Sequence, residues 1–162
     1  MKHLCLSIIA FLLIATLTPT FSTAIETPRI VPRMYTVPQP IDVVFVRLKK
    51  YFSGSPKGNF QLVSADSKTH TIVAKLSGID NATWSDWAFC KTGPVEMIYK
   101  YEDGTVMVTV KLDKTTKNST FVSVSADFHA AYRLGANENN VACDSKFVLE
   151  DQVLAAAGAP AP

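Results

Sequence analysis

Thr105-Val106-Met107-Val108-Thr109-Val110-Lys111-Leu112, followed closely by Thr120-Phe121-Val122-Ser123-Val124-Ser125-Ala126-Asp127-Phe128-His129-Ala130-Ala131-Tyr132, is the stretch that decides the fold. Successive side chains of a strand point to opposite faces. Val106, Val108, Val110 and Leu112 therefore form one apolar stripe, and Val122, Val124, Ala126, Phe128 and Tyr132 form another. Ser123, Ser125, Asp127 and His129 lie on the opposite, solvated face. Strands that are apolar on one side only belong to an antiparallel sheet with one face on a core.

Working outward, Val95–Tyr101 and Thr105–Leu112 flank Glu102-Asp103-Gly104 and read as a hairpin. Phe60–Ala65 and Thr71–Ser77 flank Asp66-Ser67-Lys68-Thr69 and read as another, with Ile72, Ala74 and Leu76 on one face. Gly78–Asp86 reads as a loop, Trp87–Cys90 as a short apolar stretch able to pair, Asp113–Ser119 as a turn and the Asn-rich Leu134–Ala142 as a loop.

Two segments carry helical spacing. Ile41, Val44, Phe45, Leu48, Tyr51 and Phe52 repeat at three and four positions, the mark of one buried stripe. Pro40 and Asp42 suit the start of that helix, and Lys49-Lys50 its end. A second helix is expected from a cap at Asp144 or Ser145 to about Ala156, with Leu149, Val153 and Ala156 as a narrow apolar face. The expected fold is α+β: an antiparallel meander covered on one face by an N-terminal and a C-terminal helix, over residues 41–157. Residues 25–40, with Pro28, Pro32, Pro38 and Pro40, read as an extended leader, since proline removes a backbone donor and is excluded from helices and central strands. Gly158–Pro162 reads as a disordered tail.

Residues 1–24 have the three parts of a signal peptide. Lys2 is the positive start, Leu4–Leu17 the apolar run, and Ser22 and Ala24 the small residues before a cut that makes Ile25 the first mature residue. The apolar run falls short of the roughly 20 residues that span a bilayer. The expected location is therefore periplasmic or secreted, with no stable membrane insertion after cleavage. Sixteen Lys and Arg against 14 Asp and Glu, without a basic run longer than Lys49-Lys50, argue against a nucleic-acid partner. Beyond the signal peptide only Cys90 and Cys143 remain. In an oxidising compartment they are expected to form a disulfide, worth about 4 kcal/mol through loop closure.

No catalytic, cofactor or metal motif stands out. His70 and His129 have no second ligand at metal-binding spacing. Ser125, Asp127 and His129 share a strand face. Alternate residues there stand roughly 7 Å apart, which suits a solvated face better than a catalytic relay. Trp84, Asp86 and Trp87 are the candidate partner-binding residues. Either ring could anchor a partner or close the core near Cys90: Trp87 fits the core better, whereas Trp84, among Asp80, Asn81 and Asp86, fits a core position and an aromatic anchor with a polar rim about equally. Asn81-Ala82-Thr83 and Asn118-Ser119-Thr120 match the N-glycosylation acceptor, which is inert in the expected bacterial setting.

The order of elements, with Cys143-Asp144-Ser145-Lys146-Phe147-Val148-Leu149-Glu150 entering the last helix, resembles small exported proteins and lipoproteins of proteobacterial envelopes. It is also similar to the helix-grip domains of the lipoprotein component C of the outer-membrane barrel-assembly machine. The lipoproteins' cysteine directly after the cleavage site is missing here, so a membrane tether is not expected. The resemblance implies a non-enzymatic accessory or binding protein and carries over no site residue. The expected function is protein–protein contact with another envelope or extracellular protein. A carrier of a small apolar ligand held between sheet and first helix, and a small hydrolase whose site is assembled only by folding, are the alternatives.

Overall fold

The computed structural model of the protein describes residues 30–54, 60–90, 103–134 and 137–160. The expected signal peptide, the start of the expected leader, the Val95–Tyr101 arm and residues 161–162 lie outside the described residues. The protein is α+β, with a seven-stranded antiparallel sheet and three helices among the described residues. In chain order these are β1 (Arg33–Val37), α1 (Ile41–Gly54), β2 (Gln61–Asp66), β3 (Thr71–Ser77), α2 (Asn81–Trp87), β4 (Ala88–Cys90), β5 (Asp103–Thr116), β6 (Ser119–Leu134), β7 (Asn137–Ser145) and α3 (Val148–Ala157).

The sheet runs β2-β3-β5-β6-β7-β4, and β1 also pairs with β6. The backbone of β5 pairs with β3 from Thr105 to Lys111 and with β6 along nearly its whole length. The turn between β5 and β6 is Lys117-Asn118, where the Asn118 N–H donates to Thr116 Oγ1 at 3.2 Å. The other hairpin turn is tied by Asp66, whose carboxylate accepts from the Lys68 N–H at 2.8 Å and the Thr69 hydroxyl at 2.9 Å. These bonds hold its pKa below the usual carboxylate range.

The alternation read from the sequence becomes the core. Ile72 and Ala74 of β3, Val106, Val108 and Val110 of β5, and Val122, Val124 and Phe128 of β6 are fully buried. They share one cluster with Val44, Phe45, Leu48 and Phe52 of α1 and with Leu149, Val153, Leu154 and Ala157 of α3. The first turn of α1 hangs on Pro40, whose carbonyl accepts from the N–H groups of Val43 and Val44. Arg47 Nη1 donates to the Ala157 carbonyl at 3.1 Å and ties α1 to the end of α3.

Several expectations are corrected. Part of the proline-rich leader is a strand: β1 pairs with β6 from Arg33↔Val124 to Val37↔Thr120. Pro32 and Pro38 bracket it, so neither proline has to donate to the ladder. Most of the expected Leu134–Ala142 loop is strand β7, paired from Leu134↔Asn137 to Phe128↔Cys143. An antiparallel ladder is made by backbone groups, and strand propensity yields to such context. The Gly78–Asp86 loop contains α2, started by Asp80. Its carboxylate accepts from the Thr83 N–H at 2.9 Å and the Thr83 hydroxyl at 2.7 Å.

Asp144 and Ser145 belong to β7 and do not cap α3, which begins after Phe147 without a side-chain cap. The tail is ordered through Pro160. Gly158 adopts φ 109°, and the N–H groups of Gly158 and Ala159 return to the carbonyls of Ala155 and Leu154, closing the helix as left-handed glycines do.

Candidate functional site

The strands β1 and β7 occupy successive parts of the same edge of β6. Pairing with β1 stops at Val124 and pairing with β7 starts at Phe128, so Ser125–Asp127 sit at a fork. At this fork β7 leaves β6 and continues against β4, with Ala88 opposite Ser145 and Cys90 opposite Cys143. A cavity of about 170 Å³ fills the fork, lined by Ile30, Val31, Ala126, Cys143, Asp144, Ser145 and Phe147. A larger open groove of about 450 Å³ runs between β1 and the end of α3, past Pro32, Arg33, Met34, Tyr35, Leu154 and Pro160. Neither lies between the sheet and α1.

Polar side chains cross-link this corner. Arg33 of β1 grips Asp151 of α3 with two bonds, Nε to Oδ1 at 3.0 Å and Nη2 to Oδ2 at 3.1 Å. Its guanidinium stands 5.0 Å from the centre of the Phe147 ring. The hydrogen bonds and charge of Asp151 raise the Arg33 pKa further above its already high value. Phe147 itself has φ 66°, a conformation that a bulky aromatic residue rarely adopts and that costs about 1–3 kcal/mol. The Ser145 hydroxyl supports it by accepting the Phe147 N–H at 2.9 Å.

The same hydroxyl donates to Glu150 Oε2 at 2.9 Å. Glu150 is 1% exposed, and its Oε1 has no hydrogen-bond partner among the described residues. Burial raises its pKa, against the opposing Ser145 bond, because an ionised carboxylate loses hydration that one hydroxyl does not replace. The sign for stability follows. A carboxyl whose folded pKa lies above the unfolded value of about 4.3 contributes fully below that value, and its contribution is lost as pH rises through the folded pKa. We expect the contribution of Glu150 to the unfolding free energy to decline as pH rises above about 4. Glu150→Gln, which needs no ionisation, should flatten that decline; denaturant titrations at each pH report it. Equal slopes in the two proteins would exclude Glu150 as the source.

The sequence-predicted residues lie elsewhere. Trp84 is no exposed loop anchor: it lies on α2, is 3% exposed, and sends its indole N–H to Cys90 Sγ at 3.3 Å. Its ring meets Phe128 edge-on, with centroids 5.5 Å apart, and covers Gly104. A side chain placed so deeply leaves a partner almost no surface to touch. Trp87 is buried too, and Asp86 is exposed beside them. Cys90 and Cys143 form the disulfide. His129 Nε2 lies 3.1 Å from Asp127 Oδ1, but the Ser125 hydroxyl turns to the Thr109 carbonyl, so the face holds a solvent-exposed His129–Asp127 contact and no relay through Ser125.

Among the described residues no three His, Cys, Asp or Glu side chains converge as a metal cage, and no helix is long and apolar enough to cross a membrane. Sequence reasoning missed Arg33, Ser145, Phe147 and Glu150. Only the position of Glu150, four before Leu154, hinted that it shares a buried helix face. No family model, curated protein or solved structure matches this chain.

Proposed function

We propose that this chain is an exported, non-enzymatic binding module of a bacterial envelope, periplasmic or secreted, acting by protein–protein contact through β1 and the groove beside α3. One observation carries this reading. Ile30, Val31, Met34 and Tyr35 all remain exposed on or just before a strand that, among the described residues, pairs on one side only. Exposed apolar clusters and open strand edges are the surfaces that proteins use for contact. In this reading α1 and α3 cover the buried face of the sheet and take their own apolar stripes out of play. Export rests on the tripartite N-terminus.

A small apolar ligand is the second reading. The groove that favours it is about 450 Å³, within the span of roughly 300–1,000 Å³ usual for ligand pockets. Site-specific photocrosslinking in the intact envelope tests both. A photoreactive residue at Met34 should capture a protein, whereas one at the exposed Lys49 of α1 should not. Met34→Glu, with the crosslinker moved to Tyr35, should reduce the captured protein about tenfold. Lipid or other small-molecule adducts at Met34 would support the carrier instead, and equal capture from Met34 and Lys49 would refute contact through β1.

A further inference from the structure

The two sulfurs of the disulfide stand in unequal surroundings. Cys90 Sγ lies under the Trp84 indole and accepts its N–H at 3.3 Å. Both cysteines are 5% exposed, but Cys143 is among the residues that line the fork cavity, together with Ala126 and Ser145, and Cys90 is not. We propose that Cys143 Sγ is a thiol-exchange site, open to a small thiol or dithiol through the fork cavity, with Cys90 as the leaving group.

The chemistry follows from the asymmetry. An incoming thiolate attacks Cys143 Sγ along the S–S axis, from the side away from Cys90. A new bond forms between the incoming sulfur and Cys143. The Cys90–Cys143 bond breaks, and its electron pair stays on Cys90 as a thiolate. The indole N–H already points at that sulfur, and a hydrogen bond to the charged form lowers a thiol's pKa. A leaving thiol of lower pKa departs faster. One molecule of a monothiol gives the mixed disulfide on Cys143 and a thiolate on Cys90; trapping that thiolate prevents its return, and a second thiol molecule would be needed to release Cys143. With a dithiol, the second thiolate attacks the first sulfur of the reagent and releases Cys143 as a thiolate, which takes a proton from water. The dithiol is oxidised to its cyclic disulfide, and the protein is reduced at both cysteines. Attack in the opposite sense would place the reagent under the Trp84 ring and leave the charge on Cys143, to which no N–H among the described residues is seen to donate.

The test uses the native full-length protein and 2-mercaptoethanol. After brief exposure, free thiols are blocked with N-ethylmaleimide and the peptides are mapped by mass spectrometry. The expected product carries mercaptoethanol on Cys143 and maleimide on Cys90, about tenfold over the reverse pattern. Adducts mainly on Cys90, an even split, or no adduct until denaturant is added would overturn the proposal. Trp84→Phe keeps an aromatic ring and removes the N–H. Exchange in it should slow about tenfold, as expected for losing a hydrogen bond to a charged group. An unchanged rate in a variant with native circular dichroism would overturn the role of the indole. If that variant does not fold, the adduct position in the unmodified protein still decides the matter.

Discussion

Trp84→Ala is expected to lower the unfolding free energy by about 3–5 kcal/mol, among the largest effects of any single substitution here. The indole is 3% exposed and fills the space between Gly104 of β5, Phe128 of β6 and the disulfide. Truncation leaves a cavity that these neighbours can only partly close, because two belong to long paired strands and the third is cross-linked. It also removes the N–H bonded to Cys90. Urea unfolding followed by circular dichroism measures the loss.

Gly104 supplies the control. A Cβ placed there would stand 2.6 Å from Trp84 Cζ3, so Gly104→Ala should cost about 1–3 kcal/mol by overpacking. That cost should shrink in the Trp84→Ala background, where the ring is gone, and the coupling is read from the double-mutant cycle. A Trp84→Ala loss under about 1 kcal/mol, with additive costs in the cycle, would mean that the ring is not seated as described.

The parts of this fold that were legible are those where alternation allows only two answers. Through residues 72–76, 106–112 and 122–128 the apolar parity is unbroken, so Ile72, Val108 and Val124 could only be inside and Lys75, Thr109 and Ser125 on the other face. The helix α1 was legible because its stripe repeats over four turns. The elements that were misread draw their stability from elsewhere. Most of β7 is polar in sequence and is held by a ladder to β6 and, at its end, by the disulfide to β4. Strand β1 lies among prolines, and its register is set by β6. Helix α2 is seven residues long, too short to show a period, although Asp80 followed by Thr83 was a readable cap.

The candidate site was hardly legible at all, for a related reason. Its members come from β1, the end of β7 and α3, and no local pattern joins Arg33 to Asp151 across the chain. Glu150 reads as a surface acid because charged residues in helices are mostly exposed. It is buried because Leu149 and Leu154 on either side of it both turn to the core, and Ser145 is there to meet one of its oxygens. The left-handed Phe147 has no sequence signature, since glycine or asparagine is the usual occupant of that conformation. Trp84 misled for the opposite reason. Asp80 and Asp86 are indeed exposed, but one face of a short helix buried the ring.

Removal of the disulfide is the second large effect expected. The bond joins directly opposed residues of β4 and β7 whose sequence separation is 53. In the chain-entropy account a loop of that size restrains the unfolded state by about 4 kcal/mol. Among the described residues β4 is otherwise held by three residues paired with β7, by the buried Trp87 and Ala88, and by the bonds from the Lys146 N–H to the Trp87 carbonyl and from Lys146 Nζ to the Ser85 carbonyl. Cys143→Ser should therefore lower the unfolding free energy by about 2–5 kcal/mol and the melting temperature by roughly 10–20 °C. Cys90→Ala combined with Cys143→Ala should lose a similar amount, because the cross-link and not the thiol chemistry of either residue carries the stabilisation. Full reduction of the unmodified protein should reach the same endpoint. If the double variant instead matched the oxidised protein within about 0.5 kcal/mol, β4 and α2 would be held by packing around Trp84 and Trp87 alone, and loop closure would contribute nothing measurable.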